Sequence, residues 1–161
     1  MGADRQHEGR GDVAMVGRLL FGADKQVAKW VAERIPGYQV LPDVKAIGVV
    51  QDFDLIAGVT FEQYNGVNVM ASIAATPGSR WADRRTLFGL FYYPFVSLDC
   101  HAITLTVSAN NLPSLNLATK LGFTGEAIVS FAAHDGSDLV VLKMFRDQCR
   151  WIGYGQGRRS A

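Results

Sequence analysis

The stretch "AITLTVSANNLPSLNLATKLGF", residues 102–123, decides how the rest of the chain is read. Residues 102–107 alternate apolar and polar side chains, the period of a strand with one buried face. Pro113 then fits a first helical turn, where no amide partner is lost, and Gly122 fits the position just past a helix end. Upstream, "SIAATPGSRWADRRTLFGL" (72–90) reads as a buried strand, a polar loop and a helix. A strand reached from its predecessor through a helical crossover lies parallel to it. The strands at 67–75 and 102–107 are therefore expected to be parallel.

Further out, the pairings become antiparallel. "KAIGVVQD" (45–52), "LIAGVTFEQY" (55–64) and "VNVMASIAA" (67–75) are strand-like runs with hairpin-sized gaps, and Asn65-Gly66 is a strong tight-turn signal. The third run is apolar and small on both faces, as a central strand is. Residues 12–21 predict a first strand. "DKQVAKWVAERIPG" (24–37) predicts a helix, with Asp24 as cap, Val27, Trp30, Val31 and Ile35 at helical spacing, and Pro36-Gly37 as the stop. Residues 86–98 predict a second helix with Leu87, Leu90 and Phe91 on one side, kinked or shortened at Pro94. Residues 126–145 predict two strands around a hairpin turn at Asp135-Gly136. The expected fold class is α/β in the α+β sense: a mixed, mostly antiparallel sheet with helices on its faces and a parallel strand pair. A single domain is expected over 13–152, between a flexible N-terminus (1–12) and a flexible tail (153–161).

The chain of 161 residues is 48% hydrophobic and 19% charged, the make-up of a soluble globular protein. Its formal net charge of +1 supplies no global field for nucleic acid, so any phosphate recognition must come from a local cluster. Cys100 and Cys149 form neither a disulfide framework nor a metal spacing. His7, His101 and His134 are too scattered for a zinc site, so no metal is expected, and a reduced, cytoplasmic setting fits. No apolar run has the length of a membrane span, and the polar opening residues lack the apolar stretch of a signal peptide.

The local cluster is "RWADRR" (80–85). A helix N-terminus exposes unpaired amides and a positive dipole end, which together attract anions. Arg80, Arg84 and Arg85 add guanidiniums suited to bidentate contact with phosphate oxygens. The competing reading is a solvated charged loop in which Asp83 caps the helix.

A second motif favours the phosphate. Residues 108–123 carry Asn111, a small residue three positions later at Ser114, and a helix ending in Lys120-Leu121-Gly122-Phe123. This pattern resembles the pantetheine-side segment of the GCN5-related N-acetyltransferase superfamily. The family's phosphate-loop motif, Gln/Arg-x-x-Gly-x-Gly/Ala, is matched at Arg80, while Asp83 and Arg85 replace its two small residues. The resemblance covers residues 13–152. More narrowly, the chain resembles acetyltransferase-like proteins common in tailed bacteriophages and their hosts.

The resemblance implies that the parallel pair is splayed and that acetyl-CoA threads the gap. Its pyrophosphate would lie on Arg80, Trp81, Ala82, Asp83, Arg84, Arg85 and Thr86, and its pantetheine against Ile73, Ala74 and Ala75, beside Asn111 and Ser114. The acetyl group would pass to an unidentified amine on a small molecule or a protein, with a strand amide stabilising the oxyanion. Many family members protonate the leaving thiolate with a tyrosine four residues before the motif's glycine. Ala118 stands there in this chain, which leaves that step to Ser114 or a water. Glu62 is the first candidate for the base, on the ground that it faces out of an apolar run, and Tyr64 is the second. Trp81 and Trp151 are expected to pack. The acceptor pocket is expected from the first helix, the turn between the third and fourth strands, and the final hairpin. The alternative is a CoA-binding or interaction module of the same fold without transfer. The oligomeric state is left open, a homodimer among the options.

Overall fold

The computed structural model describes residues 12–153. Most of the two expected flexible ends lies outside them. β1 (Ala14–Val16) and β2 (Leu19–Phe21) are followed by α1 (Asp24–Ala32), β3 (Lys45–Gln51), β4 (Asp54–Glu62), β5 (Asn68–Ala75) and α2 (Arg84–Tyr92). β6 (Ala102–Ser108), α3 (Leu112–Leu121), β7 (Thr124–Val129) and β8 (Leu139–Phe145) complete the fold. The strands form one sheet in the order β1-β2-β3-β4-β5-β6-β8-β7, antiparallel except for β5 beside β6.

The expected first strand is a hairpin instead. Gly17 takes φ +59°, which favours glycine, and the chain doubles back there. Asp24 is the first residue of α1 and does not cap it. Its carboxylate accepts a hydrogen bond from the Ala46 amide at 2.8 Å, tying the helix start to β3. α2 starts two residues earlier than expected, capped by Asp83. Pro94 has no amide to give the helical ladder. The α-helix ends at Tyr92, and the coil widens into a π-helical turn over Tyr93–Ser97. The final two strands are joined by the loop 130–138, which contains Asp135-Gly136, and not by a tight turn there.

Helices cover both faces of the sheet. On one face α1 buries Val27 and Val31 against Ala46 and Ala74. Gly58 lets the helix come close: a Cβ there would lie 2.8 Å from Val31 Cγ2 and 3.0 Å from Val27 Cγ1. Each of these fully buried valines contributes about 1.5–3 kcal/mol through removal from water. On the other face Leu87, Leu90 and Phe91 of α2 and Leu121 of α3 pack with Val59, Phe61, Ala71, Ile103 and Leu105.

β5 and β6 pair only at their starts, Asn68 with Ala102, Val69 with Ile103 and Met70 with Thr104. Beyond those residues β5 stays on β4 to Ala75, and β6 stays on β8 to Ser108. The sheet is therefore split between two strands that are each held on their outer side.

Candidate active site

The split opens into a cleft of about 830 Å³. Its walls include Ala71, Ser72 and Ile73 of β5 and residues 105–108 of β6. Consecutive strand residues point to opposite faces, so a cleft lined by consecutive residues passes through the sheet. Ala71 and Ile73 belong to the α2/α3 face, and Leu105 and Val107 share it. Ser72, Thr106 and Ser108 face the other way. Asn111, Ser114, Leu117 and Ala118 of the α3 segment line one mouth. Residues 34–39 after α1 and 132–135 before β8 line the other.

The backbone of the split is directional. The Thr76 amide donates to the Ile56 carbonyl at 2.7 Å, so the even-numbered residues of β5 turn their amides toward β4. Val67, an odd-numbered neighbour, accepts at its carbonyl from the His101 amide on the β6 side at 2.7 Å. The Met70–Thr104 pairing uses the Ala71 N–H as its last bond, so it is the Ala71 carbonyl and the N–H and C=O groups of Ile73 and Ala75 that turn toward the gap, where β6 has moved away. The Ala74 backbone is turned onto β4, and its side chain is buried under α1.

Ser114 sits in the first turn of α3, and its amide donates to Asn111 Oδ1 at 3.3 Å. The Asn111 amide nitrogen and the Ser114 hydroxyl make no hydrogen bond among the described residues, and both residues line the cleft. Ala118, 3% exposed, lies on the same wall and presents a methyl group there.

The loop before α2 departs from the expected cradle. Trp81 is 6% exposed and packs in the core. The Thr86 amide and hydroxyl both donate to the Asp83 carboxylate, at 2.9 and 3.0 Å. Arg18 donates to the same carboxylate at 2.7 Å and to the Arg80 carbonyl at 2.8 Å. The backbone amide of Thr86, with help from Arg18, holds the Asp83 carboxyl below its usual range. A carboxylate thus already occupies part of the helix N-terminus. Arg80, Arg84 and Arg85 are exposed with Ala82, and the three arginines make no ion pair among the described residues. None of residues 80–86 lines the cleft.

Glu62 does not face outward. It is 6% exposed, and its carboxylate accepts hydrogen bonds from the Tyr38 hydroxyl and from the Leu41 amide, the latter at 2.6 Å. The Thr60 hydroxyl, 2.9 Å away, donates to the Tyr38 oxygen, whose single hydrogen goes to Glu62. Burial and the Glu62 carboxylate push the Tyr38 phenol well above its ordinary pKa. Tyr38 lines the cleft and Glu62 does not. Tyr64 is turned away, its hydroxyl on the Leu98 carbonyl at 2.7 Å. Trp151 packs as expected, its indole N–H on the Leu121 carbonyl at 2.7 Å.

The turn 63–67 lies at the closed end of the parallel pair and takes no part in the cleft. Instead, loops 34–39 and 130–138 meet over it: a Cβ on Gly37 would come within 2.5 Å of His134 Cγ. His134, Arg34 and Asp135 therefore belong to the site, and sequence reading missed them. His134 was visible only as one of three scattered histidines, and Asp135 only as a turn residue. Among the described residues no group of three or more metal-ligating side chains occurs.

No protein-family model matches the sequence, and no curated protein matches it. Solved structures do. A dodecameric spermidine N-acetyltransferase from Vibrio cholerae is similar at a TM-score of 0.58 and 19% identity, over 73% of this chain and 71% of that one. A chimeric spermidine N-acetyltransferase from Vibrio cholerae and hSSAT gives 0.55 and 19%, over 65% and 68%. The Campylobacter jejuni N-acetyltransferase PseH, in complex with acetyl coenzyme A, gives 0.50 and 18%, over 65% and 70%. At these identities the likeness concerns the fold. With its sheet split between a parallel central pair and helices on both faces, the chain has the fold of the GCN5-related N-acetyltransferases.

Proposed function

We propose that the protein is a cytoplasmic acetyl-CoA-dependent N-acetyltransferase. The observation that carries this reading is the split sheet, a slot open to both faces with unpaired backbone groups along one edge. The pantetheine arm, a chain of amides, can pair with the Ala71 carbonyl and the Ile73 and Ala75 backbone as an added strand does. Asn111 offers its free amide nitrogen from the α3 side. The phosphates reach Arg80, Arg84 and Arg85, which read them chiefly as guanidiniums because Asp83 holds one of the helix amides.

The acceptor enters from the opposite mouth. Its neutral amine attacks the thioester carbon, and the resulting oxyanion is met by an N–H of the Ile73 stretch. The C–S bond then breaks, releasing an amide and a CoA thiolate. One proton leaves the amine and one joins the sulfur. We assign the first to His134, which is exposed at the acceptor mouth. Glu62, the base expected from sequence, contacts the cleft only through Tyr38, so its part is to hold that wall. The second proton comes from Ser114 or a water, since Ala118 carries none.

The methyl group of Ala118 and the enclosure of Glu62 favour one second reading, a CoA-binding module without transfer. Calorimetry with acetyl-CoA, followed by a thiol-release assay over an amine panel, separates the two. Donor binding with amine-dependent thiol release supports the transferase. Binding with no release from any amine supports the module, and no binding rejects both.

A further inference from the structure

The acceptor mouth holds two charges that are fixed in place and not paired with each other. Arg34 lies over the Trp30 ring, its Cζ 3.6 Å from the centroid, and donates to the Trp30 carbonyl at 3.0 Å. Its ion pair with Glu33 is long, at 3.9 Å, and exposed. The remaining guanidinium N–H groups are left for a ligand. Asp135 stands on the other loop. It accepts from the Ser137 amide at 3.0 Å, the Ser137 hydroxyl at 2.5 Å, Ser108 at 3.2 Å and Asn110 at 3.4 Å. The Ser137 hydrogen bonds keep its carboxyl ionised, with a pKa of about 2.

Flexible surface charges lose much of their attraction to ordering and solvent. These two are ordered before any ligand arrives, so that loss is small. They are of opposite sign, they line one cleft, and His134 stands next to Asp135 in the chain.

Resting on the transferase reading above, we propose that the acceptor is a small zwitterion, a primary amine that also carries a carboxylate or similar anionic group, of the kind found in free amino acids. Arg34 takes the anionic group through its planar fork. Asp135 receives the ammonium and brings it beside His134. The ammonium loses its first proton to water at the open mouth, and His134 takes the second as the neutral amine attacks.

The test uses the full chain and three probe classes: free α-amino acids, the same compounds as carboxamides, and diamines. Binding is read by ligand-observed NMR with and without acetyl-CoA, and transfer by thiol release. Free amino acids should bind best, with the carboxamides roughly 10- to 100-fold weaker, the value of a charged hydrogen bond or two. Arg34→Met should erase the preference for the acid over its amide. Arg34→Lys, which keeps the charge and loses the fork, should retain part of it. Asp135→Asn should weaken amino acids more than their counterparts lacking the amine. If carboxamides or diamines bind as well as free acids, or if the preference survives Arg34→Met in a folded variant, the zwitterion assignment is wrong. Acetyl-CoA calorimetry on the same samples judges the transferase reading separately, because the NMR preference does not depend on turnover.

Discussion

Asp83 shows how one residue can serve stability and oppose binding. Its carboxylate caps α2 through Thr86 and pairs with Arg18, and under the proposed function it stands where incoming phosphates would lie. Asparagine caps a helix about as well as aspartate, and an exposed ion pair is worth only about 0–1 kcal/mol. Asp83→Asn should therefore unfold within a few degrees of the wild type while binding acetyl-CoA more tightly, most clearly at low salt, where surface charge is least screened. Equal calorimetric affinity at low salt would mean that the phosphates do not approach this helix. Glu62 poses the complementary question. A glutamine there can still accept from the Leu41 amide and donate to Tyr38, whereas alanine strands both partners. We expect Glu62→Gln to keep the acetyl-transfer rate within a fewfold, and Glu62→Ala to lose about 1–3 kcal/mol of stability and raise the acceptor KM. A loss of about 10²-fold or more in kcat for Glu62→Gln, with folding intact, would restore it as the base.

At the scale of elements, the loop after α1 is a cleft wall pinned from behind. Tyr38 and Leu41 are held by Glu62, and the Gln63 amide donates to Asp43 at 2.8 Å. The raised Tyr38 pKa fixes a sign. A folded state that keeps a phenol protonated contributes stability in full below the ordinary tyrosine pKa, and that stability is lost as pH rises through the higher folded value. Wild type should therefore lose stability more steeply than Tyr38→Phe above about pH 10, read by urea unfolding across that range. Parallel slopes would show that the hydroxyl is not held as described. Such a pin is illegible in sequence, because Tyr38, Leu41 and Glu62 are brought together only when the loop folds over the end of β4. What was legible were the elements whose signals are local: the alternation of 102–107, the Pro113 and Gly122 brackets of α3, and Asn65-Gly66. Where two signals competed, local reading failed. Asp24 had the chemistry of a cap, but the Ala46 amide, distant in sequence, claimed its carboxylate.

At the scale of the whole molecule, the parallel pair followed from the crossover rule alone, but the place where it opens did not. Small residues in β5 fit either a tight interior or a slot, and only the register, which stops at Met70 and Thr104, distinguishes them. That register gives the last prediction. Without a ligand, the Ile73 and Ala75 amides have no partner strand and should exchange with solvent quickly, while the Ala71 amide, last in the ladder with β6, should be slow. The Ser72 and Ala74 amides are bonded to β4 and should exchange slowly. Acetyl-CoA bound along the strand should protect Ile73 and Ala75 and leave the even-numbered set slow in both states, so that protection changes at every second residue. Binding at about 100 times Kd adds about 2.7 kcal/mol to stability, which for a domain of this size raises Tm by roughly 5–10 °C. The two readouts answer different questions. A rise in Tm without alternating protection would mean that the cofactor binds but does not lie along β5. It would then be held at its phosphates by the arginines around the start of α2, and the thioester would not be presented to the slot between the two faces.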